Sequence, residues 1–302
     1  MGACSGHRRL DKEVIQVDHP ECPFCSATSV VSLFHRTCLS KNWELRRCSD
    51  CGFYFTYPTP TREDIESLYC GDYHAELRVP GATERIFGDK FKRYVSWIQE
   101  FVPSRGRSLD IGCTTGLLPK MLKDIGFEAE GIELNKKSAA WGSEHYGVPI
   151  RVGGFEEVRG TYDLITVTDV LEHTQHPLHT LLSLRDHLTS NGYVVASFPD
   201  INSIESRYYR LLSRLLRRGG LWRTCHIPYH IWEFTPATAR AMFNRSGFLV
   251  RAFRRSYSRD EFGGMAKLLS VPARLVALAP ETLGTQMEFM LALGSLPNAS
   301  SN

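Results

Sequence analysis

Four cysteines stand at metal-ligand spacing near the start of the chain: Cys22 and Cys25 in "CPFCS", and Cys48 and Cys51 in "CSDCGFYF". Two C-x-x-C hooks with 22 residues between them fit a four-cysteine zinc site, each hook turning tightly so that both sulfurs face one ion. Pro23 stiffens the first turn, and Gly52 allows a positive φ after the second. All four positions would be filled by protein, so the ion would be structural and would supply folding energy that so small a piece cannot draw from its own core. The chain has nine cysteines. An odd number without a secretory signal argues against a disulfide framework, and Cys4, Cys38 and Cys70 show no partner pattern.

A second constellation lies in "SLDIGCTTGLLPKMLKDIGF", Ser108 to Phe127. It reads as a short apolar strand, a turn bounded by Gly112 and Gly116, and an amphipathic helix whose amides and dipole face a ligand. A nicotinamide site wants G-x-G-x-x-G; this turn has G-x-x-x-G. Asp110 sits in the strand end and Glu133 ends the next strand, about 20 residues past the first glycine, where an acid can bind both ribose hydroxyls. A carboxylate beside the turn is awkward for a pyrophosphate but suits a ligand carrying an ammonium and a sulfonium. Further along, His173 in "DVLEH" and His230 in "CHIPYHIWEFT" are candidate bases near neutral pH.

These groups need a scaffold, and the periodicity supplies one. Strands are expected at 108–112, 128–134, 149–153, 162–168 and 192–198, with helices at 116–125, 136–145 and 178–188. Such alternation predicts a parallel sheet with helices on both faces and ligands at the carboxyl ends of the strands. Between the cysteine hooks the sequence alternates as a β-ribbon would. Pro58 and Pro60 mark a linker, and "RIFGDKFKRYVSWIQEFV" has Ile86, Phe91, Tyr94, Val95 and Ile98 at helical spacing, as for a helix packed on the main domain. The expected organisation is a flexible N-terminus (1–17), a zinc ribbon (18–58), a linker and connecting helix (59–84), the main domain (85–295) and a short tail (296–302).

In order, "LDIGCTTG", "GIELN", "YDLITVTDVLEHTQHP" and "LTSNGYVVASFPD" resemble the motifs of class I S-adenosylmethionine-dependent methyltransferases over about residues 85 to 295. The resemblance implies an α/β fold with a Rossmann-like, seven-stranded, mostly parallel sheet. It also implies a SAM site in which Asp110, Gly112, Cys113 and Gly116 frame the methionine portion. Glu133 and Leu134 would hold the ribose side, and Phe155 of "GGFEEV" would flank the adenine. Thr114 departs from the pattern, standing where the family has glycine, alanine or serine. Asp169, Glu172 and His173 resemble the acidic-histidine segment of ubiquinone-pathway O-methyltransferases, where a divalent cation can sit beside the acceptor; the plainer reading has Asp169 touching the cofactor and His173 packed in place. His230 resembles the substrate-side "H…FT" segment. His176 and His179 read as exposed helix residues.

The resemblance points to O- or C-methylation of a small-molecule or carrier-linked metabolite, of sugar, polysaccharide or secondary-metabolite type. The N-P-P-Y or D-P-P-Y signature of base-methylating enzymes and a double-E loop are both lacking. The alternatives are an RNA methyltransferase whose ribbon grips nucleic acid through Arg36, Lys41, Arg46 and Arg47, and a non-catalytic SAM-binding scaffold. A net charge of +3 gives no strong nucleic-acid signal. The insertion at 203–226 reads as a basic amphipathic lid helix with Tyr208, Leu211, Leu212, Leu215 and Leu216 on its apolar side. Its arginines (207, 210, 214, 217, 218) could meet a phosphorylated or lipid-linked substrate or, through 203–218, an anionic membrane surface. The stretch before the last strand, "AKLLSVPARLVALAPETLG", could belong to the same cover. No run approaches the roughly 20 apolar residues of a membrane span, and no secretory h-region is visible, so the expected location is cytoplasmic. No oligomeric state is read from the sequence.

Overall fold

The computed structural model describes residues 21–68, 74–103, 105–215, 226–257 and 284–296. Cys4, Cys70, Arg217, Arg218 and the apolar stretch from Ala266 lie outside the described residues, as do most of both termini.

Seven strands form the main sheet: β4 (Arg107–Ile111), β5 (Glu128–Glu133), β6 (Ile150–Val152), β7 (Tyr162–Thr168), β8 (Leu188–Pro199), β10 (Phe248–Ser256) and β11 (Gln286–Leu293). Their order is β10-β11-β8-β7-β4-β5-β6. β4, β5, β6, β7 and β8 pair in parallel, while β11 runs antiparallel to both of its neighbours. The strand order reverses at β4, so the turn after β4 opens where such a sheet binds its ligand. The expected parallel sheet is present, and β8 starts earlier than the periodicity suggests, at Leu188.

The alternation of each strand feeds two cores. On one face Leu164, Val195 and Met290 meet α2 (Ala82–Phe101) through Phe91, Tyr94, Val95 and Ile98, and α3 (Leu117–Asp124) through Leu118 and Leu122. On the other face Ile165, Val167, Ala196 and Phe289 pack with Leu181 and Leu184 of α5 (Pro177–Arg185) and Met242 and Phe243 of α7 (Pro236–Arg245). α7 starts with Thr235 as N-cap in a capping box and Pro236 in its first turn, the local grammar of a helix start. α4 (Lys136–Tyr146) is capped by Asn135, which accepts from the amides of Lys137 and Ser138.

The ribbon does not keep to itself. β1 (Val30–Cys38), β2 (Lys41–Cys48) and β3 (Tyr54–Tyr57) form an antiparallel meander, and its edge continues into β9 (Trp232–Glu233) from the main domain. Cys22, Cys48, Phe53 and Phe55 share one buried cluster with the sheet residues of the main domain. The expected boundary near residue 58 is therefore a change of sheet, with a continuous core beneath it. Cys38, left without a partner in the sequence reading, is disulfide-bonded, which corrects its reading as a bystander.

The insertion also differs from expectation. α6 (Ile204–Leu215) buries Glu205, Ser206 and Tyr209, whereas Leu211 and Leu215 are 56% and 69% exposed. These leucines do not pack on the domain. With Ile204 they form a stripe on the outward face, opposite the side of Glu205 and Tyr209; the side chain of Leu212 and all of Leu216 lie outside the described residues.

Candidate functional site

Three left-handed residues shape the turn after β4: Gly112 (φ 74), Thr114 (φ 52) and Gly116 (φ 84). A Cβ at Gly112 would lie 2.6 Å from Val170 Cγ2, and one at Gly116 2.7 Å from Ile150 Cδ1. Both glycines are therefore required by closeness as well as by φ, and the Gly112 contact presses the segment after β7 against the turn. Cys113 is buried under Gly131, whose added Cβ would meet its sulfur at 2.4 Å. Its amide and carbonyl are spent on Ile132 and Gly116, so Cys113 shapes the turn from beneath. Thr114 is a β-branched residue in the left-handed region, a costly conformation of about 1–2 kcal/mol. Thr114→Gly is expected to stabilise the protein by about 1 kcal/mol and to tighten nucleoside binding. Thermal melts and calorimetry with S-adenosylmethionine check this, and a lower melting temperature would contradict it.

Glu133 accepts from the Thr114 amide at 2.9 Å and the Asn135 amide at 2.8 Å. Burial pushes its carboxyl above the ordinary range, against the pull of these backbone donors. Asp110 is buried and accepts from Thr166 Oγ1 at 2.6 Å. Burial raises it to about 7, with the Glu133 charge adding to the effect and Thr166 opposing it. Leu134, beside Glu133, is 68% exposed, and Phe155 is partly buried against the main core. Asp110 titrates near neutrality, so a cationic ligand should bind best where it is ionised. Between pH 8 and pH 6 affinity is expected to fall about tenfold, and Asp110→Asn should flatten that dependence. Calorimetry at three pH values tests it.

The segment after β7 carries Asp169, Glu172 and His173. Asp169, in the left-handed region at φ 58, turns its carboxylate to Lys90 of α2, to Gln286 of β11 and to Ser197 at 3.3 Å. The sequence offered no sign of Lys90 or Gln286, which stand 196 positions apart in the chain. Glu172 is fully buried and both of its oxygens lack a hydrogen-bond partner among the described residues. Burial and the neighbouring Asp169 charge raise its carboxyl well above the ordinary range.

His173 and His230, 57 positions apart in sequence, meet with ring centroids at 4.8 Å. His173 Nδ1 lies 2.8 Å from the Tyr229 carbonyl, which can only accept, so Nδ1 carries the proton and Nε2 the lone pair. His230 Nδ1 faces Glu233 Oε1 at 3.2 Å, giving His230 the same tautomer. Burial lowers both imidazoles to about 4, the neighbouring His230 adding to the effect on His173, so both are neutral at physiological pH. Burial holds Glu233 up at about 7. Ligand atoms of Glu172, His173 and His230 all lie within 4.8 Å of one another, the donor set of a divalent cation. His230 thus stands in the cluster where the sequence reading placed Asp169. His176 and His179 are exposed, as expected.

In the ribbon, Cys22 and Cys51 sulfurs are 3.6 Å apart, as are those of Cys25 and Cys48. A tetrahedral ion with bonds near 2.3 Å needs edges of about 3.8 Å, so the four residues fit zinc.

Residues 86–252, more than half of the chain, match the family model described as "Methyltransferase domain". The ubiquinone biosynthesis O-methyltransferase of Paraburkholderia xenovorans (strain LB400) is 28% identical over 116 residues, 34% of this chain and 49% of its own length. Its counterpart from Bordetella avium (strain 197N) is 30% identical over 115 residues, 34% of this chain and 47% of its own length. The chain spans about half the length of these curated relatives. Among solved structures, magnesium protoporphyrin IX methyltransferase from Synechocystis PCC 6803 with bound SAH aligns with a TM-score of 0.53 and 14% identity, covering 78% of this chain and 100% of that one. The putative methyltransferase complexed with the Trm112 activator from Haloferax volcanii gives 0.55 and 15%, covering 73% and 96%. At these identities the likeness is one of fold. The seven-stranded sheet, the glycine-bounded turn at its reversal point and the match across 86–252 establish that the chain belongs to the methyltransferase domain family.

Proposed function

We propose that the protein transfers a methyl group from S-adenosylmethionine to a hydroxyl or acidic carbon of a small or carrier-linked metabolite. The observation that carries the reading is a pair of neutral imidazoles: His173, in the segment that Val170 presses against Gly112, meets His230 with ring centroids at 4.8 Å. When bound, S-adenosylmethionine supplies a methyl carbon already activated by its sulfonium. Asp110 would receive its ammonium, Glu133 and Leu134 its ribose side, and Phe155 its adenine. His230 Nε2 would take the acceptor's proton as the acceptor oxygen or carbon bonds to methyl and the sulfur keeps the electron pair of the broken bond. Glu233 then holds the imidazolium, as the carboxylate of a base dyad does.

Three of the four cations that would make the ribbon a nucleic-acid surface already have partners within the protein, although Lys41 stays half-exposed. Arg36 donates to the Ile227 carbonyl, Lys41 pairs with Asp64, and Arg46 is buried between Glu44 and the Tyr57 ring. This favours a metabolite over RNA. The outward stripe of Ile204, Leu211 and Leu215, with Arg207 exposed on the same helix, favours a carrier-linked acceptor with an apolar part. No helix among the described residues is long and apolar enough to cross a membrane.

The test is incubation with methyl-labelled S-adenosylmethionine and cell extract separated into aqueous and lipid fractions. Label should enter one fraction, and His230→Gln should slow transfer on the order of 100-fold or more while leaving cofactor affinity unchanged. Failure to bind S-adenosylmethionine would overturn the reading. A second reading places a divalent cation on Glu172, His173 and His230, where it would polarise the acceptor oxygen; the unpartnered oxygens of Glu172 favour it. Cobalt titration distinguishes the two, since this cluster would take up one equivalent beyond that of the cysteines and Glu172→Gln would remove it.

A further inference from the structure

The loop that carries His230 has partners both in its own domain and in the ribbon. β9 pairs with β3 through Tyr54 opposite Glu233 and Phe55 opposite Trp232. Thr56, 1% exposed, donates its amide to the Ile231 carbonyl at 2.8 Å and its hydroxyl to the His230 carbonyl at 2.6 Å. On its other side Ile231 donates its amide to the Glu172 carbonyl at 2.8 Å. The backbone at 230–231 is thus clamped between the ribbon and the Glu172–His173 segment. That segment is tied to β9 and to the linker after the ribbon as well, because Trp232 Nε1 donates to the Thr174 carbonyl and Gln175 Nε2 to the Pro60 carbonyl.

The clamp leads back to the metal site. In the second cysteine turn, Cys48 donates its amide to Phe53 and accepts from Gly52, so ion binding there fixes where β3 begins. Phe53 stacks on Phe24 beside the first hook, with ring centroids at 3.8 Å, and meets Trp232 edge-on at 5.9 Å. Arg245 of α7 caps the Phe24 carbonyl at 2.7 Å.

We propose that the ribbon is a working wall of the acceptor site, with Thr56 a positioning residue for His230, and that metal loading of the four cysteines sets the orientation of the His230 ring. This rests on the reading of His230 as the group that meets the acceptor, and holds whether that group takes a proton or a cation. A hydroxyl that fixes the carbonyl of a reactive residue acts on aim, and misplacement by about 1 Å costs on the order of 100-fold in rate.

The experiment uses the zinc-loaded full chain with nitrogen-15 histidine, comparing the parent with Thr56→Val and Thr56→Ser. The expected result is that Thr56→Val shifts the ring-nitrogen signals of His230, identified by their loss in His230→Gln, while those of His145 and His187 stay in place. S-adenosylmethionine affinity should remain within twofold, and Thr56→Ser should restore the parental signals. Removing the cysteine-bound ion with a chelator should move the same His230 signals. With an acceptor in hand, turnover of Thr56→Val should fall roughly tenfold at unchanged cofactor affinity. Parental His230 signals in Thr56→Val, or in the chelated chain, would overturn the proposal. So would a Thr56→Ser variant as altered as Thr56→Val, since a buried methyl would then be the feature that matters. None of the ring measurements requires methyl transfer, so they stand apart from the cofactor-binding test of the activity.

Discussion

Glu133→Ala is expected to weaken S-adenosylmethionine binding at least about 100-fold, measured by calorimetry. Two effects combine. The carboxylate would hold the two ribose hydroxyls through charge-assisted hydrogen bonds, each contributing about 1.5–3 kcal/mol, and every 1.4 kcal/mol is tenfold in affinity. It also ties the amides of Thr114 and Asn135, so its removal loosens the turn that carries Gly112 and Gly116. Glu133→Gln separates the two contributions, because the amide keeps the shape and one acceptor but not the charge. An affinity within threefold of the parent for Glu133→Ala would mean that the nucleoside does not sit between this residue and the turn.

Cys48→Ser is expected to empty the four-cysteine site and release the ribbon. Metal content should fall from about one zinc per chain to well below one. A structural zinc contributes on the order of 10 kcal/mol to the folding of the piece that holds it. Hydrogen exchange should report the consequence in space: amides of β1, β2 and β3 lose protection, and so does β9, whose partner strand is β3. The central strands β4, β7 and β8, which pair only within the main sheet, should keep theirs. Full protection of β1–β3 in a metal-free Cys48→Ser protein would show that the ribbon is held by its shared core alone.

Much of the fold was legible because its signals are local. The apolar run of β7, the G-x-x-x-G turn and the amphipathic α2 each announce themselves within about ten residues. So do the two cysteine hooks, whose spacing alone nearly determines a tetrahedral site. The candidate site was legible residue by residue but not as an assembly. His173 and His230 each carried a motif, yet nothing in either segment says that the rings meet at 4.8 Å; that follows from strand pairing between segments far apart in the chain. The partners of Asp169 were hidden for the same reason, since Lys90 and Gln286 approach from α2 and β11. In α6 the helical pattern put Tyr208, Leu211 and Leu215 on one apolar side, but the buried residues are Glu205, Ser206 and Tyr209, while Leu211 and Leu215 face out. Helical amphipathicity names two faces without saying which one finds the core.

The pairing of β3 with β9 has a consequence during synthesis. As the chain leaves the ribosome, the ribbon's third strand has its hydrogen-bonding edge exposed until Trp232 and Glu233 emerge. At 5–20 residues per second this interval lasts on the order of ten seconds. An unpaired edge is a template for other chains, and this one carries Phe55 and Tyr57. Early metal capture would protect the nascent protein only in part, because the missing neighbour is peptide, not ion. Production should therefore be sensitive to elongation speed and to chaperones that cover strand edges, and truncations ending before residue 232 should aggregate even when zinc is plentiful.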